Sequence, residues 1–150
     1  MIYEKIKEIR TYYLITQKQM SEILKVSRST YAGWENGIDP ISLSKLNEFC
    51  NYFNISLDYI CNISSEPNYK NIKKEIDIKE IGRRMKQTRM LNNETQKAAA
   101  DILNVDQSNY SKYELGKIII RTYTLVEFAM HYKVSIDWLC GKTEANHTTK

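Results

Sequence analysis

A chain of 150 residues, 42% hydrophobic and 27% charged, makes one ordinary globular domain or two small ones, and with only five Gly and two Pro it favours helices over a turn-rich all-β fold. No run of about 18 apolar residues offers a membrane span, and the opening MIYEKIKEIR lacks the apolar stretch of a signal peptide, so the expected setting is the cytoplasm with no membrane partner. The net charge of +4 lies wholly in residues 79–150, where twelve Lys/Arg face eight Asp/Glu, and such a basic segment attracts polyanions by releasing their counterions.

Ile2, Ile6, Ile9 and Tyr13 recur at helical spacing and predict a first helix. Thr16 is placed to N-cap a second, which turns Met20, Ile23 and Leu24 inward. Ser27 caps a third that ends at Asn36-Gly37, where glycine permits a left-handed C-cap. Leu43, Leu46, Phe49, Cys50 and Phe53 stripe a fourth, and Ser56 opens a fifth carrying Leu57, Ile60 and Cys61. Residues 63–76 (ISSEPNYKNIKKEI) are polar and read as a linker, although Ile72 and Ile76 would also suit an extra turn on the helix that follows. Asp77-Ile-Lys-Glu80 has capping-box spacing and marks the start of that helix. The pattern then recurs: Ile81 and Met85; Ala98, Ala99, Ile102 and Leu103; Tyr110; Leu125, Phe128, Ala129 and Tyr132; Ile136, Leu139 and Cys140.

Sliding the chain by 79 residues aligns Ile2 to Cys61 with Ile81 to Cys140 without a gap, and a third of the pairs are identical. A period this long indicates duplicated domains, since solenoid repeats are shorter. The expected organisation is all-α: a five-helix domain over 1–62, a linker over 63–76, a second five-helix domain over 77–143 and a frayed tail over 144–150. Domains of about 60 residues bury little apolar surface, so docking of the copies on each other, or dimerisation, would support them.

A helix, a tight turn and a second helix opened by a small capping residue form a helix-turn-helix, whose second helix lies in the major groove. The first copy spans Gln17 to Asn36 and turns at Lys25-Val26-Ser27; the second spans Gln96 to Leu115 and turns at Asn104-Val105-Asp106. TQKQMSEILKVSRSTYAGWENG resembles the signature of the Cro/repressor (XRE) family almost throughout, TQKAAADILNVDQSNYSKYELG matches it more loosely, and VSIDWLCGKT looks like the close of such a domain. The resemblance covers about 120 of the 150 residues. It implies two tandem lambda-repressor-like domains that bind double-stranded DNA sequence-specifically, as a transcriptional regulator and by expectation a repressor.

The resemblance also implies roles for particular residues. Gln17 and Gln96 match the position that contacts a phosphate, in keeping with the positive end of a helix dipole, with Lys18 and Lys97 beside them. Tyr31 matches an inward residue, which leaves Arg28, Ser29, Ala32, Gly33 and Asn36 outward in the first copy. In the second the outward set is Gln107, Ser108, Ser111, Lys112 and Leu115. Arg28 suits guanine O6/N7 and Gln107 adenine N6/N7, so the copies are expected to read different half-sites. Thr30 and Asn109 suit the DNA backbone, and Ser27 and Lys117 complete the expected DNA-binding set. Arg10 with Glu35, and Arg89 with Glu114, match a pair joining the first helix to the third; the plain alternative is a surface ion pair worth under about 1 kcal/mol.

Some residues depart from the family pattern. Lys25 and Asn104 stand where glycine is usual, and Lys takes left-handed geometry less readily than Asn. Ser21 and Ala100 are both small enough for the tight helix contact. Asp106 caps well but brings an anion towards phosphate, whereas Arg83, Arg84, Lys86, Arg89, Lys97, Lys112, Lys117 and Arg121 make the second copy the basic one. The run Ile118-Ile-Ile120 marks either a homodimer interface or a plug, with Ile120 entering the core as Ile41 does. Most of the eleven tyrosines read as core residues.

Cys50, Cys61 and Cys140 lack zinc-ligand spacing and read as buried apolar thiols. His131 and His147 lack a nucleophile or a metal partner, and no catalytic motif is visible, so neither cofactor, metal nor enzyme activity is expected. Both units on one operator is the leading reading: a 14-residue linker extends to about 45–50 Å, against half-sites about 34–36 Å apart. Two alternatives stay open: one copy on DNA with the other a dimerisation or protein-interaction module, or an antitoxin-type regulator that also masks a toxin.

Overall fold

The computed structural model describes residues 1–147; the last three residues of the expected tail lie outside the described residues. Each copy folds as five helices: α1 (Ile2–Tyr12), α2 (Gln17–Ile23), α3 (Arg28–Glu35), α4 (Leu43–Phe53) and α5 (Leu57–Ile60), then α6 (Ile78–Leu91), α7 (Gln96–Ile102), α8 (Gln107–Glu114), α9 (Thr122–Tyr132) and α10 (Ile136–Leu139). They divide into two units, with the boundary along the chain between Asn68 and Tyr69.

Side-chain caps set most of the helix starts. Thr16 Oγ1 accepts from Gln19 N while Gln19 Oε1 accepts from Thr16 N, at 3.1 and 2.8 Å. Ser27, Ser42 and Ser56 cap α3, α4 and α5; Asp77, Thr95, Asp106 and Ser135 cap α6, α7, α8 and α10. A cap of this kind stabilises by about 1 kcal/mol, and it is a local signal. Helix α6 does not extend back over Ile72 and Ile76, because Asp77 caps it and the Asp77 N–H leaves the helix direction to donate to Cys140 O at 2.9 Å.

In the first unit the inward faces of all five helices meet on Ile6, Met20, Tyr31, Leu46, Phe49 and Leu57, none of which keeps exposed surface. Met85, Ala99, Tyr110, Leu125, Phe128 and Leu139 do the same in the second. The three cysteines are buried thiols. The tyrosines depart from the sequence expectation. Only Tyr31, Tyr110 and Tyr113 are buried, while Tyr12, Tyr13, Tyr52 and Tyr123 are exposed. Tyr13 lies just past the end of α1, where its ring leans on Phe53 with centroids 5.0 Å apart.

The segment read as a linker is partly pinned in both units. Ser56 N donates to Pro67 O at 2.7 Å in the first, and Lys73 N donates to Lys142 O at 2.8 Å in the second. The stretch able to extend is therefore shorter than 14 residues. The tail is packed as far as His147, whose ring stacks on Tyr69 at 3.9 Å, and Asn146 Oδ1 accepts from Ser135 N at 2.8 Å.

Between α2 and α3 the chain reverses through Lys25 at φ 56°, and between α7 and α8 through Asn104 at φ 53°. A lysine held there costs about 1–2 kcal/mol, of which glycine's extra freedom in the unfolded chain returns roughly half. Lys25→Gly is expected to stabilise the first unit by about 0.5–1 kcal/mol, read as a higher urea midpoint with an unchanged slope, and Asn104→Gly to change the second unit less.

Candidate nucleic-acid interface

Ser21 and Ala100, 3% and 1% exposed, let α2 and α7 lie close against α3 and α8. What orients α3 is a polar cluster on its inner side. Arg10 Nε donates to Glu35 Oε1 at 2.5 Å and Nη2 to Oε2 at 3.0 Å, while Nη1 donates to Ile15 O at 2.7 Å. The second unit repeats this: Arg89 donates to Glu114 at 2.7 and 3.0 Å and to Glu94 O at 2.7 Å. The Glu35 side chain has no exposed surface and that of Arg10 keeps 10%, so these are not surface ion pairs. Each joins the first helix of its unit to the end of the third.

Burial alone would push the Glu35 carboxyl pKa up, but hydrogen bonds from Arg10 and Gln17 outweigh it and hold the group below the usual carboxylate range. Glu114 is held down in the same way, against burial, by Arg89 and Gln96. The Tyr31 and Tyr110 hydroxyls are buried beside these carboxylates without a well-aligned partner, and burial, reinforced by the neighbouring carboxylate, pushes both phenols up.

The glutamines at the start of α2 and α7 belong to the same clusters. Gln17 Nε2 donates to Glu35 at 2.9 Å and Gln96 Nε2 to Glu114 at 3.1 Å. Their amide groups therefore face inward, and what each helix start still offers outward is the backbone N–H of its first turn. Nothing in the sequence marked this connection except the recurrence of Gln, Arg and Glu at one spacing in both copies.

On the outer side, Arg28, Ser29, Thr30 and Asn36 are exposed and Ala32 is half-buried, while Gly33, expected on this face, is buried. The Ser27 hydroxyl is occupied as a cap and as a donor to Thr30 Oγ1 at 2.8 Å. In the second copy Gln107, Ser108, Asn109, Lys112, Leu115 and Lys117 are exposed and Ser111 is half-buried. Asn109 is tied to Asp106, its N–H on one carboxylate oxygen and its Nδ2 on the other, at 3.2 and 3.0 Å.

The positive charge of the second copy is smaller at the surface than in the sequence. Arg84 is 4% exposed and serves the core, donating to the Trp138 and Thr143 carbonyls with its guanidinium over the Trp138 ring. Arg83 and Lys97, though exposed, are paired with Glu80 and Asp101 at 2.7 and 3.0 Å, while the exposed Lys18 of the first copy carries no such pair among the described residues. Lys86, Lys112, Lys117 and Arg121 stay exposed without an ion pair among the described residues.

Two units of this build, each with a tight left-handed turn between short helices, have a counterpart among known families. The helix-turn-helix family model matches the chain twice, at residues 6–60 and 85–139. The chain belongs to the helix-turn-helix family. The matched type is that of the Cro/repressor (XRE) regulators, and both matches run through all five helices of a unit.

Among curated proteins, the helix-turn-helix chain is 39% identical over 66 residues to the HTH-type transcriptional regulator ImmR of Bacillus subtilis (strain 168), a match covering 44% of this chain and 52% of ImmR. It is 25% identical over 76 residues to the uncharacterized HTH-type transcriptional regulator YobD of the same organism, covering 51% of this chain and 68% of YobD. The chain thus spans about half the length of ImmR. No solved structure matches it significantly. Among the described residues no helix is long and apolar enough to cross a membrane, and no group of three or more His, Cys, Asp or Glu is placed to hold a metal ion.

Proposed function

We propose that this helix-turn-helix protein is a sequence-specific DNA-binding transcriptional regulator, acting as a repressor, that presents α3 and α8 to major grooves of double-stranded DNA. The supporting observation is one arrangement found twice. A buried Arg–Glu–Gln cluster fixes the inner side of the helix, while its first turn (Arg28 and Ser29, or Gln107 and Ser108) stands exposed. Holding a reading helix rigidly removes the ordering cost that a flexible one would meet on binding. Gln17 and Gln96 would offer backbone N–H groups to phosphates, with Lys18, Lys97 and Lys117 adding charge and Arg28, Gln107 and Lys112 reading bases.

Selection from random duplexes at about 0.1 M salt, where non-specific binding is weakened, is expected to enrich a site with two unlike halves. Arg28→Ala and Lys112→Ala are each expected to weaken binding about ten-fold at different halves of that site. No enrichment at all would overturn the reading.

A second reading keeps α3 on DNA and turns the second copy towards protein. Its support is the Asp106 anion at the start of α8 and a groove of about 610 Å³ beside it, flanked by Ile118 and Ile119, both 39% exposed. Ile120 is buried like Ile41, so the plug and an exposed apolar edge coexist in one run. If Lys112→Ala leaves DNA binding unchanged while the chain associates as a homodimer, this second reading replaces the first.

A further inference from the structure

The outward face of α3 lacks a side chain at its middle, and a residue of the following loop fills the space. Ser29, Gly33 and Asn36 share one stripe of the helix by their spacing. Ser29 and Asn36 are exposed but Gly33 is buried, and what covers it is Asp39. A Cβ added to Gly33 would collide with Asp39 Oδ2 and lie 3.3 Å from Asp39 Cγ. The loop is held in this place because Ile38 N and Asp39 N both donate to Gly33 O, at 3.0 and 3.2 Å. Asp39 itself remains exposed, and no ion pair holds its carboxylate among the described residues.

The duplicate supplies an internal comparison. At the positions of Gly33 and Asp39 the second copy carries Lys112 and Ile118, both exposed. Side chain and loop residue have changed together. One copy sets a carboxylate over a bare helix, whereas the other grows a cation from the helix itself beside an apolar loop. An unpaired anion in a loop against a DNA-facing helix weakens attraction to phosphate everywhere unless it meets a donor of its own.

We propose that Asp39, seated over Gly33, is a base-reading residue of the first copy that accepts a hydrogen bond from the N4 amino group of a cytosine in the half-site read by Arg28. The inference rests on the DNA-binding function proposed above. An ionised carboxylate is an acceptor only. It suits cytosine N4, is repelled by guanine O6/N7 and thymine O4, and meets the N7 acceptor beside the amino group of adenine. Lys112 favours the opposite, guanine O6/N7. The two halves of the operator therefore carry cytosine and guanine at matching positions.

Selection on the full chain and on two variants tests this, with circular dichroism confirming that both variants fold. The parent is expected to prefer cytosine about ten-fold at one position. Asp39→Ala flattens that position and no other. Asp39→Asn shifts it to adenine, because an amide pairs with N6 and N7. If Asp39→Ala instead tightens binding to every duplex alike and leaves all base preferences as they were, Asp39 only repels phosphate and the inference falls alone. If the parent enriches no sequence, the DNA-binding function and this inference fall together.

Discussion

Glu35→Ala is expected to leave the first unit largely unfolded at room temperature while the second stays folded. The Glu35 carboxylate carries two hydrogen bonds from Arg10 and one from Gln17, and removing it strands a guanidinium whose side chain is 10% exposed. Taking away one partner of a buried pair costs about 3–5 kcal/mol. A domain of some 60 residues has roughly that much in total. Each unit carries one tryptophan, Trp34 in the first and Trp138 in the second, so fluorescence of single-tryptophan variants follows the two separately. The double replacement Arg10→Met with Glu35→Leu should recover most of the loss, since the destabilisation comes from the uncompensated charge. If Glu35→Ala costs under about 1 kcal/mol, the pair behaves as a surface ion pair and α3 is held by its apolar contacts alone.

The same pair fixes the sign of a pH effect. Glu35 titrates below its ordinary value of 4.5 in the folded chain. The unfolded chain therefore takes up the proton first, and acid favours unfolding. The stabilisation is fully present above pH 4.5 and is lost as pH falls through the lower, folded value. The Arg10→Met, Glu35→Leu variant should lose this part of the acid sensitivity in the first unit only, because Glu114 is held down in the second by its own pair.

Features written in local sequence are legible in the sequence alone. Thr16, Ser27, Ser56, Asp77 and Asp106 announce helix starts because a cap needs only a short polar side chain two or three residues ahead of a free N–H. Apolar spacing marks most of each inward face for the same reason, although Ile102, expected inward, is 39% exposed and Ile23 is half-buried. Side chains whose surroundings come from far along the chain were not legible. Arg84 reads as surface charge in sequence and is buried because the Trp138 and Thr143 carbonyls, 54 and 59 residues away, accept from it. Gly33 reads as outward by helical spacing, correctly for its Cα, yet it is buried because of the path of a loop that ends at Asp39. Tyr13 sits on the apolar period of α1 but falls one residue past the helix end, where the period no longer governs direction.

Gly82→Ala is expected to cost the second unit about 3 kcal/mol, near the upper end for overpacking, although it adds a single methyl group. A Cβ at Gly82 would lie 2.5 Å from Tyr113 O, 2.7 Å from Glu114 C and closer still to Glu114 O. All three are backbone atoms at the end of α8, so no flexible side chain can swing aside. The first unit solves the same approach differently, with Tyr3 at the matching position and its ring lying against Gly37. Relief in the second unit requires α8 to move off α6. Any such movement shifts Glu114 away from Arg89, because residue 114 is both the obstacle and the ion-pair partner. Gly82→Ala should therefore cost less, by about 1 kcal/mol or more, in an Arg89→Met, Glu114→Leu background, where no ion pair opposes the movement, than in the parent chain. Equal losses in the two backgrounds, measured by urea unfolding, would show that the methyl group is absorbed without moving α8. In that case the readout proposed for Lys112 would survive the substitution, whereas displacement of α8 predicts that the half-site assigned to Lys112 is lost and the one assigned to Arg28 is kept.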